Sequence, residues 1–186
     1  MPMVHVLQLD GIAGSPLRLG EHLLVFQCRN WNDIPEFPPE SGALPDGHWD
    51  RGEGHYAFFL TPPGTDEYVL DAETALNISE LVPEETREVT KDMGRAQKFV
   101  TGKRAFKLGG VPSWAQGPRV LRCGCGAEME FLIEVPADLP FPKDPSTPEQ
   151  RNAYSKTKFY LFLGNEIYLF ACSRRCHPQA LWAIVQ

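Results

Sequence analysis

The sequence predicts a mainly β protein, a β-rich α+β chain in which two related antiparallel halves pack as one pseudo-duplicated domain. Three observations predict it. Short runs dense in β-branched and aromatic residues recur along the chain: HVLQLD, HLLVFQC, HYAFFL, EYVLDA, MEFLIEV, KFYLFL, IYLFAC and LWAIV. Seventeen prolines and sixteen glycines in 186 residues break the sequence into segments too short for long helices. Finally, stretches of the first half read like stretches of the second.

In chain order, the first strand is MVHVLQL at 3–9, and a glycine-led strand GEHLLVFQC follows at 20–28. GEGHYAFFL at 52–60 has the same form, as does GNEIYLFAC at 164–172. Gly20, Gly52 and Gly164 open the three, and Phe26, Phe58 and Phe170 fall on one strand face because strand side chains alternate. MEFLIEV at 129–135 lies over MVHVLQL, which makes Cys28 the counterpart of Cys172. One stretch reads as a helix near 83–98. Ser79 is placed to cap it, Pro83 suits the first turn, Glu84 and Glu85 come early, and Lys91, Arg95 and Lys98 come late. The predicted organisation is a degenerate first β half over 1–75 without a metal knuckle, a helical connector over 76–102, and a second β half over 103–186 that carries four cysteines.

Hydrophobic residues make up 42% and charged residues 23%, a globular balance. The net charge of −6 provides no broad basic field for a nucleic-acid backbone, and Arg119, Arg122, Arg174 and Arg175 read as a solvated face. No apolar run approaches the roughly 20 residues that span a bilayer, and MPMVHVLQLD lacks the basic start and apolar core of a leader. The expected compartment is the cytoplasm, where closely spaced cysteines bind metal more often than they form disulfides.

Of five cysteines, Cys28 stands alone and reads as a buried thiol. The others form two pairs, Cys123-Gly-Cys125-Gly and Cys172-Ser-Arg-Arg-Cys176. Four soft ligands at tetrahedral corners suit zinc, and glycines 124 and 126 let the chain turn tightly around an ion. The metal expectation is therefore a structural zinc on Cys123, Cys125, Cys172 and Cys176. Unmetallated thiols and a redox pair are the alternatives, and His177 is a possible substitute for one sulfur.

The run KLGGVPSWAQGPRVLRCGCGAEMEFLIEV followed by YLFLGNEIYLFACSRRC resembles the zinc-bearing repeat of the programmed cell death 2 protein family and the related bacterial YwqG-like proteins. The resemblance rests on Lys107, Gly109, Gly110, Pro112, Trp114, Cys123, Cys125, Phe131, Leu132, Tyr168, Phe170, Cys172 and Cys176. It covers about 103–177 and extends more weakly over 3–60. It implies a duplicated β fold, cysteine-bound zinc and, by analogy with the eukaryotic members, a chaperone-like grip on one client protein. The first knuckle here is one residue shorter than the C-x-x-C of that family.

No nucleophile elbow or zinc-protease motif is present. The densest polar cluster is GHWDRGEGHY, with His48, Asp50, Glu53 and His55. An enzyme using that cluster is one rival reading, and a zinc-dependent nucleic-acid binder that depends on Arg174 and Arg175 is another. The expected function is a non-enzymatic, zinc-stapled protein-binding domain, chaperone-like or antitoxin-like, acting as a monomer or weak homodimer. The proline-rich stretches 32–50 and 136–153 are its expected binding loops.

Overall fold

The computed structural model describes residues 3–28, 55–62, 80–94, 98–146, 149 and 152–186. The strands in chain order are β1 (Met3–Asp10), β2 (His22–Cys28), β3 (Tyr56–Thr61), β4 (Lys91–Asp92), β5 (Val100–Thr101), β6 (Lys107–Leu108), β7 (Met129–Val135), β8 (Pro140–Pro142), β9 (Lys158–Tyr160), β10 (Ile167–Cys172) and β11 (Leu181–Val185). They form a three-stranded sheet ordered β1-β2-β3, a four-stranded sheet ordered β11-β10-β7-β6, and the small pairs β4-β5 and β8-β9. Every pairing is antiparallel. No helix among the described residues is long and apolar enough to cross a membrane.

The predicted repeat recurs at the level of register. Met3 opposes Cys28 where β1 meets β2, and Met129 opposes Cys172 where β7 meets β10. Both ladders slip by one residue at the same place. The β1 register jumps from His5 to Leu7, leaving Val6 extra. The β7 register jumps from Phe131 to Ile133, leaving Leu132 extra. Laying MVHVLQL over MEFLIEV puts Val6 on Leu132, so the bulge belongs to the repeated unit; a bulge sharpens the twist of its strand. Gly20 and Gly164, which open the two central strands, both hold left-handed φ values of 80° and 70° that favour glycine. The third sequence copy departs from this scheme. β3 does not repeat β2; it lies beside β2 as β11 lies beside β10, and its opening Gly52 is outside the described residues.

One hydrophobic core draws on both sheets. Leu7, Leu23, Val25 and Leu60 of the first pack in one cluster with Ile133, Val135, Ile167, Leu169 and Leu181 of the second. A second cluster covers the opposite face of the four-stranded sheet, where Tyr168, Phe170 and Trp182 meet Trp114. The Trp114 ring centroid lies 5.0 Å from that of Tyr168 and 5.9 Å from that of Phe170. Alternate residues of β10 thus enter different cores, and all six are buried. Polar contacts also join the two halves. The Tyr56 hydroxyl accepts the Phe162 N–H at 2.9 Å, and the Leu60 N–H donates to the Pro178 carbonyl at 2.8 Å. Arg175 Nε lies 3.2 Å from Glu21 Oε1, and Arg175 Nη2 donates to the Pro16 carbonyl at 3.0 Å.

The helix expected near 83–98 does not form. Residues 80–90 carry no regular secondary structure, 91–92 are strand, and within 95–97 nothing is described. The segment is instead an extended strap, and Glu88 is its anchor. The Glu88 carboxylate accepts the N–H groups of Lys103 and Val111, each through a different oxygen, at 2.7 and 2.8 Å. It also pairs with Lys107 Nζ at 2.5 Å. Burial pushes the Glu88 carboxyl up, but Lys107 and the two N–H groups outweigh it and hold it below the usual carboxylate range. These long-range bonds, together with the β-branched Val82, Val89 and Thr90, favour an extended chain over the charge pattern that suited a helix.

Replacing Glu88 with Ala leaves the Lys103 and Val111 N–H groups without their acceptor, while Lys107 keeps Glu134 and two carbonyls. Hydrogen exchange at Lys103 and Val111 is expected to quicken by about tenfold or more, with Ile133 and Leu169 unchanged. Unaltered rates at Lys103 and Val111 would mean that the strap is held elsewhere.

Candidate metal centre

Two turns at one end of the four-stranded sheet bring four sulfurs together. The first is Cys123-Gly124-Cys125-Gly126. The Gly126 N–H donates to the Cys123 carbonyl at 2.9 Å, and the Cys123 N–H donates to the Ala127 carbonyl at 2.8 Å. Gly126 takes φ +82°, a left-handed conformation that glycine adopts without the backbone strain of other residues. The flanking residues Arg122 and Glu128 form an antiparallel bridge that squares the turn onto the start of β7.

The second turn continues straight from β10. The Arg175 N–H donates to the Cys172 carbonyl at 2.8 Å. Arg175 itself is left-handed at φ 52°, a conformation that costs a residue with a Cβ roughly 1–2 kcal/mol. Its guanidinium opposes that cost. It donates to the Cys172 carbonyl at 2.9 Å and pairs with both Glu21 and Glu130. The two turns are stitched together directly, since the Ser173 N–H donates to the Glu128 carbonyl at 3.1 Å.

The four ligand atoms all lie within 4.8 Å of one another. Cys123 Sγ is 3.5 Å from Cys176 Sγ, and Cys125 Sγ is 3.6 Å from Cys172 Sγ. Sulfurs at tetrahedral corners about 2.3 Å from an ion stand about 3.8 Å apart, so these spacings suit one metal ion at their centre. All four thiols are free. Cys123 and Cys172 are buried with Ala127 and Ala180, while Cys125 and Cys176 reach the surface.

The electrostatics of the four sulfurs are uneven. Burial pushes the Cys172 thiol up, but the N–H groups of Cys176 and Arg174 and the neighbouring thiols bring it down to about 7. Burial raises the Cys123 thiol, although the Cys125 N–H pulls the other way. Burial and the three other sulfurs drive Cys176 up strongly. A cation at the centre reverses this balance, because it stabilises every thiolate that the cluster otherwise disfavours. Four sulfur donors with N–H groups turned onto two of them fit a thiophilic metal.

The structure brings all four predicted ligands together. His177 is not among the clustered ligand atoms; its Nδ1 accepts the Gln179 N–H at 3.1 Å within the following turn. Cys28 is buried at the end of β2, where its N–H donates to the His55 carbonyl at 2.7 Å. His48, Asp50, Glu53 and the loop 32–50 lie outside the described residues. Arg119, Arg122 and Arg174 are exposed, whereas Arg175 is committed to Glu21 and Glu130 and does not belong to a solvated basic face. Sequence reasoning missed that role. It also missed the buried carboxylates Glu134 and Glu166, whose signal was a charged residue inside or beside an apolar strand run. No protein-family model, curated protein or solved structure matches the chain.

Metal binding must strip protons from the raised thiols. A cobalt or zinc titration in weak buffer is therefore expected to release protons, most of them from Cys123 and Cys176. Affinity is expected to fall as pH is lowered from about 8 to about 6. Binding with no proton release and no pH dependence would contradict thiolate ligation.

Proposed function

We propose that the chain is a non-enzymatic protein-binding β domain stapled by one structural zinc on Cys123, Cys125, Cys172 and Cys176. The observation that carries this reading is the four-sulfur cluster itself, whose ligand atoms lie within 4.8 Å of one another although they come from turns far apart in sequence. A closed tetrahedron of thiolates is a folding device rather than a reaction centre. The zinc joins the turn before β7 to the turn after β10, and through Arg175 it borders the contacts between the two halves.

The resemblance to the programmed cell death 2 repeat supports a grip on one client protein, and a cytoplasmic setting keeps the thiols reduced. The nucleic-acid alternative loses one of its two arginines, because Arg175 is spent on Glu21 and Glu130.

Elemental mass spectrometry of the untagged protein is expected to find about one zinc per chain. Cys123→Ser and Cys176→Ser should each lose the metal and unfold at lower denaturant. A folded, stable protein without metal would overturn the staple. The client reading is checked separately, by crosslinking in native lysate with the wild type and the metal-free variants side by side. A stoichiometric partner captured by the wild type alone is the expected result, and repeated absence of any partner counts against it.

A further inference from the structure

At the opposite end of β10 from the sulfurs, the four-stranded sheet buries a set of charges. Lys107 of β6 opposes Glu134 of β7, which in turn opposes Tyr168 of β10. Glu166 precedes β10, two residues before Tyr168, and so shares its sheet face with Tyr168 and Glu134. The side chains of Glu134 and Glu166 are 0% and 4% exposed.

Each carboxylate uses one oxygen well. Glu134 Oε2 accepts the Ser113 N–H at 2.9 Å and lies 3.5 Å from Lys107 Nζ. Glu166 Oε2 accepts from Arg104 Nε at 2.5 Å and from the Ala137 N–H at 3.4 Å. The other oxygen of each, Oε1, is buried with no donor among the described residues. Two buried acceptors without donors are costly. The Glu134–Tyr168 pairing sets the two carboxyl groups diagonally across neighbouring strands on one face, and burial raises the Glu166 carboxyl despite Arg104.

The surrounding charges agree. From the strap comes Glu88, paired with Lys107. From the loop after β7 comes Asp138, 3.7 Å from Arg104 and exposed. From β10 comes the Tyr168 hydroxyl, which accepts the Ala115 N–H at 3.0 Å and whose ionisation burial disfavours. On the β11 side, the Glu166 backbone pairs with that of Gln186. The carboxylates Glu88, Glu134, Glu166 and the exposed Asp138 thus outnumber the cations Lys107 and Arg104, and a proton lessens the excess.

We propose that Glu134 and Glu166 form a carboxyl–carboxylate pair that holds one proton between their Oε1 atoms in the folded protein at neutral pH. The proton gives both orphan oxygens a partner. It also lets the strap and the Gly109–Trp114 loop dock over the sheet without an unbalanced buried charge. This site is separate from the cysteines and does not depend on them. An acid whose folded value is raised binds its proton more tightly folded than unfolded. Its stabilisation is complete below the ordinary carboxyl value of about 4.3 and is lost as pH rises towards the folded value. The pair therefore makes the fold sensitive to alkali.

Glu134→Gln tests this, because an amide keeps the shape, accepts the Ser113 N–H and donates permanently to Glu166. Urea unfolding is measured against pH for wild type and variant. The folding constant of the wild type, relative to that of the variant, is expected to fall by up to about tenfold per pH unit above the ordinary carboxyl value. Infrared spectroscopy of wild-type protein with isotope-labelled glutamate decides independently of any variant. A protonated carboxyl stretch from the folded protein at neutral pH, absent in Glu134→Gln, is the expected result. No such band, or parallel stability profiles in the two proteins, would overturn the proposal.

Discussion

The structure depends on β10 being buried on both sides. A strand with one wet face needs only one core, but Ile167–Cys172 has none of its faces in water. Leu169 and Ala171 must be met by the first sheet, and Tyr168 and Phe170 must be met by a cover on the other side. Those two demands account for most of the architecture. The first half supplies one layer through Leu23 and Val25, and the loop bearing Trp114 supplies the other. The strap follows from the second demand, since Glu88 pins that loop by its Val111 N–H.

A strand so enclosed has a difficulty at each end, where buried apolar sheet gives way to polar turns. The two ends gather donors suited to different small ligands. At the Cys172 end four soft donors suit a metal cation. At the Glu166 end two hard donors suit a proton. Both arrangements gather groups from distant parts of the chain that repel or lack partners when left alone. A ligand at either end would relieve that repulsion or supply the missing partner.

Legibility in the sequence followed the range of each interaction. Strand chemistry and the cysteine turns are written locally, in IYLFAC, CGCG and CSRRC, and the fold carries them as read. The duplication was also visible in the alignment of MVHVLQL with MEFLIEV, but the bulge that both copies share, at Val6 and Leu132, emerges only in the strand register. The stretch 83–98 misled because its charge order is right for a helix dipole, whereas its true partners, Lys103, Lys107 and Val111, lie beyond the window in which helix signals are read. Glu134 and Glu166 were passed over for the same reason, although a charge within or beside an apolar strand run marked them. A carboxylate in a strand looks like a solvent-facing residue until strand order sets Lys107 and a second acid against it. The likeness of GEGHYAFFL to the central strands was real in composition but not in position. Composition records burial, not which neighbour a strand pairs with.

The contacts between the halves have a consequence for the order in which the protein can be made. Glu21 waits for Arg175, 154 residues later in the chain. The outer edge of β3 waits for Pro178 to give Leu60 its acceptor. At ribosomal speeds of roughly 5–20 residues per second, about six to twenty-three seconds separate the synthesis of β3 from that of the segment that completes the sheet. Throughout that interval Leu23, Val25 and Leu60 have no second layer to pack against. The nascent chain thus carries a sticky, half-covered sheet for far longer than a small domain needs to fold, and a factor that shields it during translation would act on the first sixty residues, before any cysteine ligand exists.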